Sequence, residues 1–185
     1  MMRIIAGEAR GRLIVAPAGR HTRPTLDRIR ENMFNMLQPV IPGSRILDLF
    51  AGSGALSLEA LSRGAEYAVL VDSDRNAAAV QKKNIEALRY AGKTRQMHCD
   101  WHAAADTLKR EKEVFDLIFL DPPYAMQDLR DVFSALVTLT GPDTIIVLEH
   151  EAGKEIQVSD DFEKYRDRAW GFCAVSMYRH KLRGE

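Results

Sequence analysis

Cysteine is scarce in this 185-residue chain, with two residues only, Cys99 and Cys173. A pair so far apart supplies neither a disulfide framework nor the close spacing of a zinc site. Both lie in apolar, strand-like stretches and are expected to be buried free thiols, the usual condition of unpaired cysteine. Long apolar runs are missing as well. None approaches the ~20 residues of a membrane span, and the N-terminus lacks the apolar segment of a secretory signal. The expectation is a cytoplasmic protein with no membrane partner. Net charge is the third absence: 26 Lys and Arg balance 26 Asp and Glu. Overall charge therefore selects no partner. Internal repeats and low-complexity tracts are also lacking.

Hydrophobic residues, at 46%, suffice for one core. The charge that cancels overall is unevenly distributed. Residues 1–30 carry Arg3, Arg10, Arg12, Arg20, Arg23, Arg28 and Arg30 against Glu8 and Asp27, so the remainder is acidic. A basic arm on an acidic body points to a polyanion.

Residues 2–6 and 12–15 read as a short hairpin punctuated by Gly7 and Gly11. Ile29, Met33, Phe34 and Leu37 recur at helical spacing, which predicts a helix over 25–38. Strands then alternate with helices: strands at 45–50, 67–71, 94–99, 115–120 and 144–149, helices at 55–63, 75–90, 102–109 and 129–139. Two strands, 163–168 and 172–180, close the chain around Gly171. Such alternation predicts an α/β fold with a mostly parallel sheet flanked by helices. The closing pair has no room for a crossover helix and so forms an antiparallel hairpin at one edge. Domain organisation is expected to be 1–24 as a basic hairpin extension and 25–185 as the catalytic domain.

In open α/β sheets ligands bind beyond the carboxyl ends of the strands. The first such end carries Asp48-Leu49-Phe50-Ala51-Gly52-Ser53-Gly54, where glycines permit a tight turn and close approach of the backbone. Two glycines alone also fit dinucleotide enzymes. The third glycine of that fingerprint would fall at Ser57, and a carboxylate at Asp48 repels a pyrophosphate but suits an ammonium. Asp72, followed by Ser73, ends the second strand, where a carboxylate can accept from both ribose hydroxyls. Asp100-Trp101 ends the third: the acid can accept an adenine amine, and the indole offers a flat face. Alternatively, these acids cap the helices that follow. Together they favour S-adenosylmethionine, with Asp48, Phe50, Ala51, Gly52, Ser53, Gly54, Asp72, Ser73, Asp100 and Trp101 as the binding set.

Asp121-Pro122-Pro123-Tyr124 follows the fourth strand. The lone pair of a base amine is delocalised into its ring, so methylation requires the amine to be held with that pair aimed at the methyl group. The Asp121 carboxylate and the Pro122 carbonyl can accept its two N–H groups, prolines contributing acceptors without donors. Tyr124 can stack on the base, a contact worth about 1–3 kcal/mol in single-strand binders. Phosphate contacts are expected from Arg3, Arg10, Arg12, Arg23, Thr25, Arg28 and Arg30, since a base must leave its stack to enter such a site. The chemistry requires no metal, and none is expected.

These motifs resemble the bacterial 16S ribosomal RNA guanine-N2 methyltransferases of the RsmD type. The resemblance spans nearly the whole chain: residues 3–12, Thr22-Arg23-Pro24-Thr25 with Arg28, residues 34–37, the glycine loop, Val71-Asp72 and the Asp121–Tyr124 tetrad. The arm is its discriminating part, because many methyltransferases share the glycine loop and most amino-group enzymes share the tetrad. The resemblance implies a seven-stranded, Rossmann-like class I methyltransferase sheet with S-adenosylmethionine as donor. It implies small-subunit ribosomal RNA, or a 30S assembly particle, as partner, with the N2 amine of one guanine as target; the chain itself is expected to be a monomer. Asp72 departs from the pattern, where such proteins more often carry Glu. Alternatives are the same chemistry on DNA adenine or a protein glutamine, or a non-catalytic RNA-binding assembly factor.

Overall fold

A computed structural model describes residues 2–16 and 24–181, with the backbone alone for 24–26. Arg23 thus lies outside the described residues, and so does the side chain of Thr25. Two short strands, β1 (Met2–Arg3) and β2 (Leu13–Ile14), form the N-terminal hairpin. Helix α1 (Pro24–Leu37) leads into the main body. There β3 (Arg45–Asp48), α2 (Ala55–Ser62), β4 (Tyr67–Val71), α3 (Arg75–Leu88), β5 (Thr94–Met97), α4 (Trp101–Arg110) and β6 (Phe115–Leu120) alternate. Helix α5 (Arg130–Leu136), β7 (Thr140–Glu151), β8 (Phe162–Trp170) and β9 (Cys173–His180) complete the chain.

The seven strands run in the order β5-β4-β3-β6-β7-β9-β8. The first five are mutually parallel, and β9 and β8 pair antiparallel. The closing hairpin stands at one edge as the pattern requires, with the later strand inside. Phe34 of α1 meets Phe119 of β6, ring centroids 5.7 Å apart, in a core that also takes in Ile4, Leu58, Ile85, Val175 and Met177. On the other sheet face Leu108 of α4 and Phe133 of α5 pack with Leu47, Ile118 and Tyr178. Central strands buried on both faces read as the continuous apolar runs Tyr67–Val71 and Leu117–Leu120.

Element ends differ from the pattern in ways the backbone explains. α3 stops at Leu88 rather than Tyr90 because Arg89 turns left-handed (φ 62°) and the Tyr90 N–H returns to the Ile85 carbonyl. The predicted helix over 129–139 is α-helical to Leu136 and finishes as a 3-10 turn, Val137–Leu139. β7 begins four residues early, at Thr140, where it pairs with Phe115 beyond a bulge. Cys173 is buried, but Cys99 is only partly so: it follows β5, the edge strand, which neighbours cover incompletely.

Candidate active site

Parallel pairing brings the carboxyl ends of β4, β3 and β6 side by side, in that order. The loops carrying Asp72, Asp48 and Asp121 therefore converge. Gly52 and Gly54 take positive φ, 53° and 79°. A side chain on Gly54 would also bring its Cβ within 2.8 Å of Leu70 Cδ2. The loop is held from several directions: Ala51 N–H donates to Val71 O at 2.9 Å, Gly52 N–H to Asp72 Oδ2 at 2.8 Å, and Gly54 N–H to Ala51 O at 2.7 Å. Ala51, Ser53 and Gly54 are buried, while Phe50 and Gly52 are partly open.

Two residues that sequence reasoning missed hold this loop from α3. Gln81 Nε2 donates to Gly52 O at 3.1 Å, and Asn84 Nδ2 to Ser53 O at 3.0 Å. Because a peptide is planar and trans, turning the Gly52 carbonyl toward α3 directs the Ser53 N–H the opposite way. Asn84 also binds the hairpin, accepting from Val15 N–H at 2.7 Å and donating to Val15 O at 2.9 Å. The available signal was two amides at i and i+3 among the buried positions of a helix.

Asp48 is 1% exposed. Its Oδ2 accepts from Ser57 Oγ at 2.9 Å, and Oδ1 has no hydrogen-bond partner among the described residues. Burial raises its pKa to about 7, against the Ser57 hydrogen bond, and the nearby Asp121 and Asp72 add to the rise. Ser57 thus occupies the position of the missing third glycine as the partner of this acid. Asp72 accepts from Gly52 N–H and, through Oδ1, from Asp74 N–H at 2.9 Å, leaving each oxygen a further lone pair. Ser73 is exposed and its carbonyl lies 3.2 Å from His98 Nε2. Asp100 caps α4, accepting from Ala103 N–H at 3.0 Å, which holds its pKa below the ordinary value. Trp101, partly buried, stacks on His102 with ring centroids 3.4 Å apart.

These residues fit a methionine-sulfonium donor, which carries both an ammonium and a sulfonium centre. Three carboxylates surround one loop, and the innermost is desolvated with an oxygen lacking a partner, so a cation beside it relieves an existing electrostatic cost.

The tetrad opens from β6 onto a cleft. Pro122 is buried, Asp121 partly so, and Tyr124 is 48% exposed. Met126 N–H closes the turn on Pro123 O at 2.8 Å. Gln127, Glu149, His150, Glu151, Lys154 and Ile156 also line the cleft. His150 Nε2 lies 2.8 Å from Ser176 Oγ, which donates to Asp167 Oδ1 at 2.6 Å, a chain crossing β7, β9 and β8. Parallel pairing of β6 with β7 carries Glu149–Glu151 to the tetrad, a meeting of distant segments that sequence spacing does not show.

The hairpin is fastened to the end of α2. Fully buried Glu59 accepts from Ile5 N–H at 2.8 Å, Ala6 N–H at 3.0 Å and Arg63 Nε at 2.8 Å. Ser62 Oγ accepts from Ala9 N–H and donates to Ala6 O. A groove beside it is lined by Arg3, Arg10 and Arg28 together with Asp27 and Glu31. Arg12 is exposed and donates to the Ala87 carbonyl. Arg30 departs from expectation as a phosphate contact. It is 6% exposed, and its Nη2 donates inward to Arg3 O at 2.6 Å and to Asp27 Oδ1 at 3.2 Å. One helical turn separates it from the core residues Met33 and Phe34, so it shares their face.

Comparison with known proteins adds the following. The model of the family described as Conserved hypothetical protein 95 matches residues 2–179. Ribosomal RNA small subunit methyltransferase D of Escherichia coli (strain K12) is 35% identical over 187 residues, covering 100% of this chain and 92% of that protein. The protein of the same name from Haemophilus influenzae is 33% identical, covering 97% of this chain and 94% of its own length. The solved structure of yhhF from Escherichia coli superposes with a TM-score of 0.82 at 32% identity, covering 98% of this chain and 99% of that one.

Proposed function

This chain belongs to the RsmD-type family described as Conserved hypothetical protein 95, and we propose that it methylates the exocyclic N2 amine of a guanine in small-subunit ribosomal RNA. S-adenosylmethionine is the methyl donor. The observation that carries the reading is the adjacency of β3 and β6, which sets an acid-flanked glycine loop directly beside the Asp121–Tyr124 tetrad.

Asp48 and Asp72, with Phe50, Ala51, Gly52, Ser53 and Gly54 between them, bind the donor; Ser73, Asp100 and Trp101 flank its nucleoside end. Bound there, the donor supplies an electrophilic methyl group on a sulfonium. Asp121 accepts one amine N–H and the Pro122 carbonyl the other, so the nitrogen lone pair is aimed rather than conjugated. Positioning of this kind can remove several kcal/mol, on the order of 7–11, from the barrier of a well-oriented reaction. Asp121 also lies where the proton shed by the methylated nitrogen can pass. Half-exposed Tyr124 offers a face to the base, and Pro123 stiffens the turn between them. Arg3, Arg10, Arg12 and Arg28, on or beside the hairpin, contact phosphates; Arg23 and Thr25 belong to the same arm in sequence. Arg30 holds α1 to β1 instead.

The test is to incubate the protein with labelled S-adenosylmethionine and small ribosomal subunits lacking base methylation, then digest the RNA. Label in N2-methylguanosine is expected. Label in N6-methyladenosine or in protein would keep the site and discard the substrate; bound donor with no transfer to any of them would discard catalysis.

A further inference from the structure

The sheet ends in β8, which among the described residues pairs with β9 alone and so leaves its outer edge open. Residues 162–181 carry Lys164, Arg166, Arg168, Arg179 and Lys181 against Glu163 and Asp167, a local excess of positive charge in a chain whose charges cancel overall. Both acids are engaged: Glu163 accepts from Arg179 Nε at 2.6 Å, and Asp167 from Ser176 Oγ.

The register sorts the remaining charges by face. Arg166 stands opposite Met177 and Arg168 opposite Val175. Directly opposed residues share a face, and Met177 and Val175 belong to the core on the α1 side of the sheet. Arg166 and Arg168 therefore emerge on the sheet face that α1 covers, whereas Asp167, opposite Ser176, emerges on the other face. Both arginines are exposed, and among the described residues neither is paired with a carboxylate. Arg168 Nη1 meets only the Asp167 carbonyl, at 3.0 Å.

The row leads to the cleft. Trp170, two residues on from Arg168, packs against the same core and faces Cys173, which is opposite Glu151 in the wall of the target cleft. The β8–β9 turn is fixed there by Ala152 N–H donating to Phe172 O at 2.8 Å, with the Phe172 ring 48% exposed.

We propose that Arg166 and Arg168 on this edge strand form a second RNA track, gripping phosphates of the strand that flanks the target nucleotide. The Phe172 ring at its end meets the neighbouring base. The track rests on the RNA reading above and extends the footprint from the hairpin across the α1 face to the cleft. Basic residues on an open strand also serve simply to keep other strands from pairing with it, and that role predicts no effect on RNA.

The test uses the full chain carrying Arg166→Glu and Arg168→Glu and a fragment of small-subunit ribosomal RNA. Affinity is measured between 50 and 200 mM salt, alongside affinity for S-adenosylhomocysteine. Two lost phosphate contacts should reduce the salt slope of log K by roughly 1.4–1.8, with S-adenosylhomocysteine affinity unchanged. The control reverses Lys109 and Arg110 to Glu. Both are exposed on α4, which packs on the opposite sheet face, and the change in net charge is equal. The track is overturned if the salt slope is unchanged in the double variant, or if the control loses as much. A wild type that binds S-adenosylhomocysteine but no RNA would overturn the track and the proposed substrate together; methylated RNA with an unchanged slope would overturn the track alone.

Discussion

Replacing Asp48 with Asn should stabilise the donor-free protein at alkaline pH and leave it unchanged at acid pH. The carboxyl is buried, has one hydrogen-bonded oxygen, and titrates at about 7 rather than 3.8. Below pH ~4 it is protonated in both folded and unfolded chains and contributes no pH dependence. Between about 4 and 7 the unfolded chain releases this proton and the folded one keeps it, so stability falls as pH rises, levelling off above 7. A rise of about three units corresponds to roughly 4 kcal/mol. Relaxation around the charge reduces this, leaving about 2–4 kcal/mol that an uncharged side chain recovers. For a chain of this size each kcal/mol moves Tm by about 2–4 °C. Urea unfolding of wild type and Asp48→Asn at pH 4, 6 and 8 measures it directly. The difference should be near zero at pH 4 and grow to its full value by pH 8. Equal stabilities at pH 8, or a difference constant with pH, would refute the argument. Donor binding provides the complement: the same variant should bind S-adenosylmethionine more weakly, since stability lost at this site is the electrostatic cost that a cationic ligand relieves.

Further outcomes follow from the same geometry. Asp121→Ala should lower kcat at least ~100-fold, the scale of losing one aligned transition-state hydrogen bond, while RNA and donor affinities hold; unchanged turnover in a single-turnover assay would eliminate the two-acceptor mechanism. Asn84→Ala removes three hydrogen bonds at a 1% exposed position, so we expect about 3 kcal/mol of destabilisation at roughly 1 kcal/mol each. Calorimetry should also show about tenfold weaker donor binding, and normal donor affinity would show that the Ser53 carbonyl needs no anchor. Gly7→Ala places a Cβ 1.8 Å from the Ser62 carbonyl oxygen at a φ of 83°. The hairpin should lift from α2, with faster amide exchange at Ile5 and Ala6; native exchange rates there would contradict it.

The order of strands and helices, the glycine loop and the tetrad were all legible in the sequence, because each depends on local chemistry. Apolar periodicity sets the element type, glycine alone tolerates the positive φ at positions 52 and 54, and consecutive prolines leave a backbone of acceptors. Tertiary structure decided what depends on which distant groups meet. It turned Arg30 inward against the Arg3 carbonyl, although in sequence it is one more arginine of a basic arm. It made Asn84 the bridge between hairpin and glycine loop, and it brought Glu149–Glu151 beside the tetrad through the pairing of β6 with β7. It also set the Asp48 carboxyl near neutrality, since desolvation and neighbouring charges act through space. The sequence by itself determined which groups are present and on which elements they ride; only folding determined the partners of each, because pairing energies depend on distance and burial rather than on position along the chain.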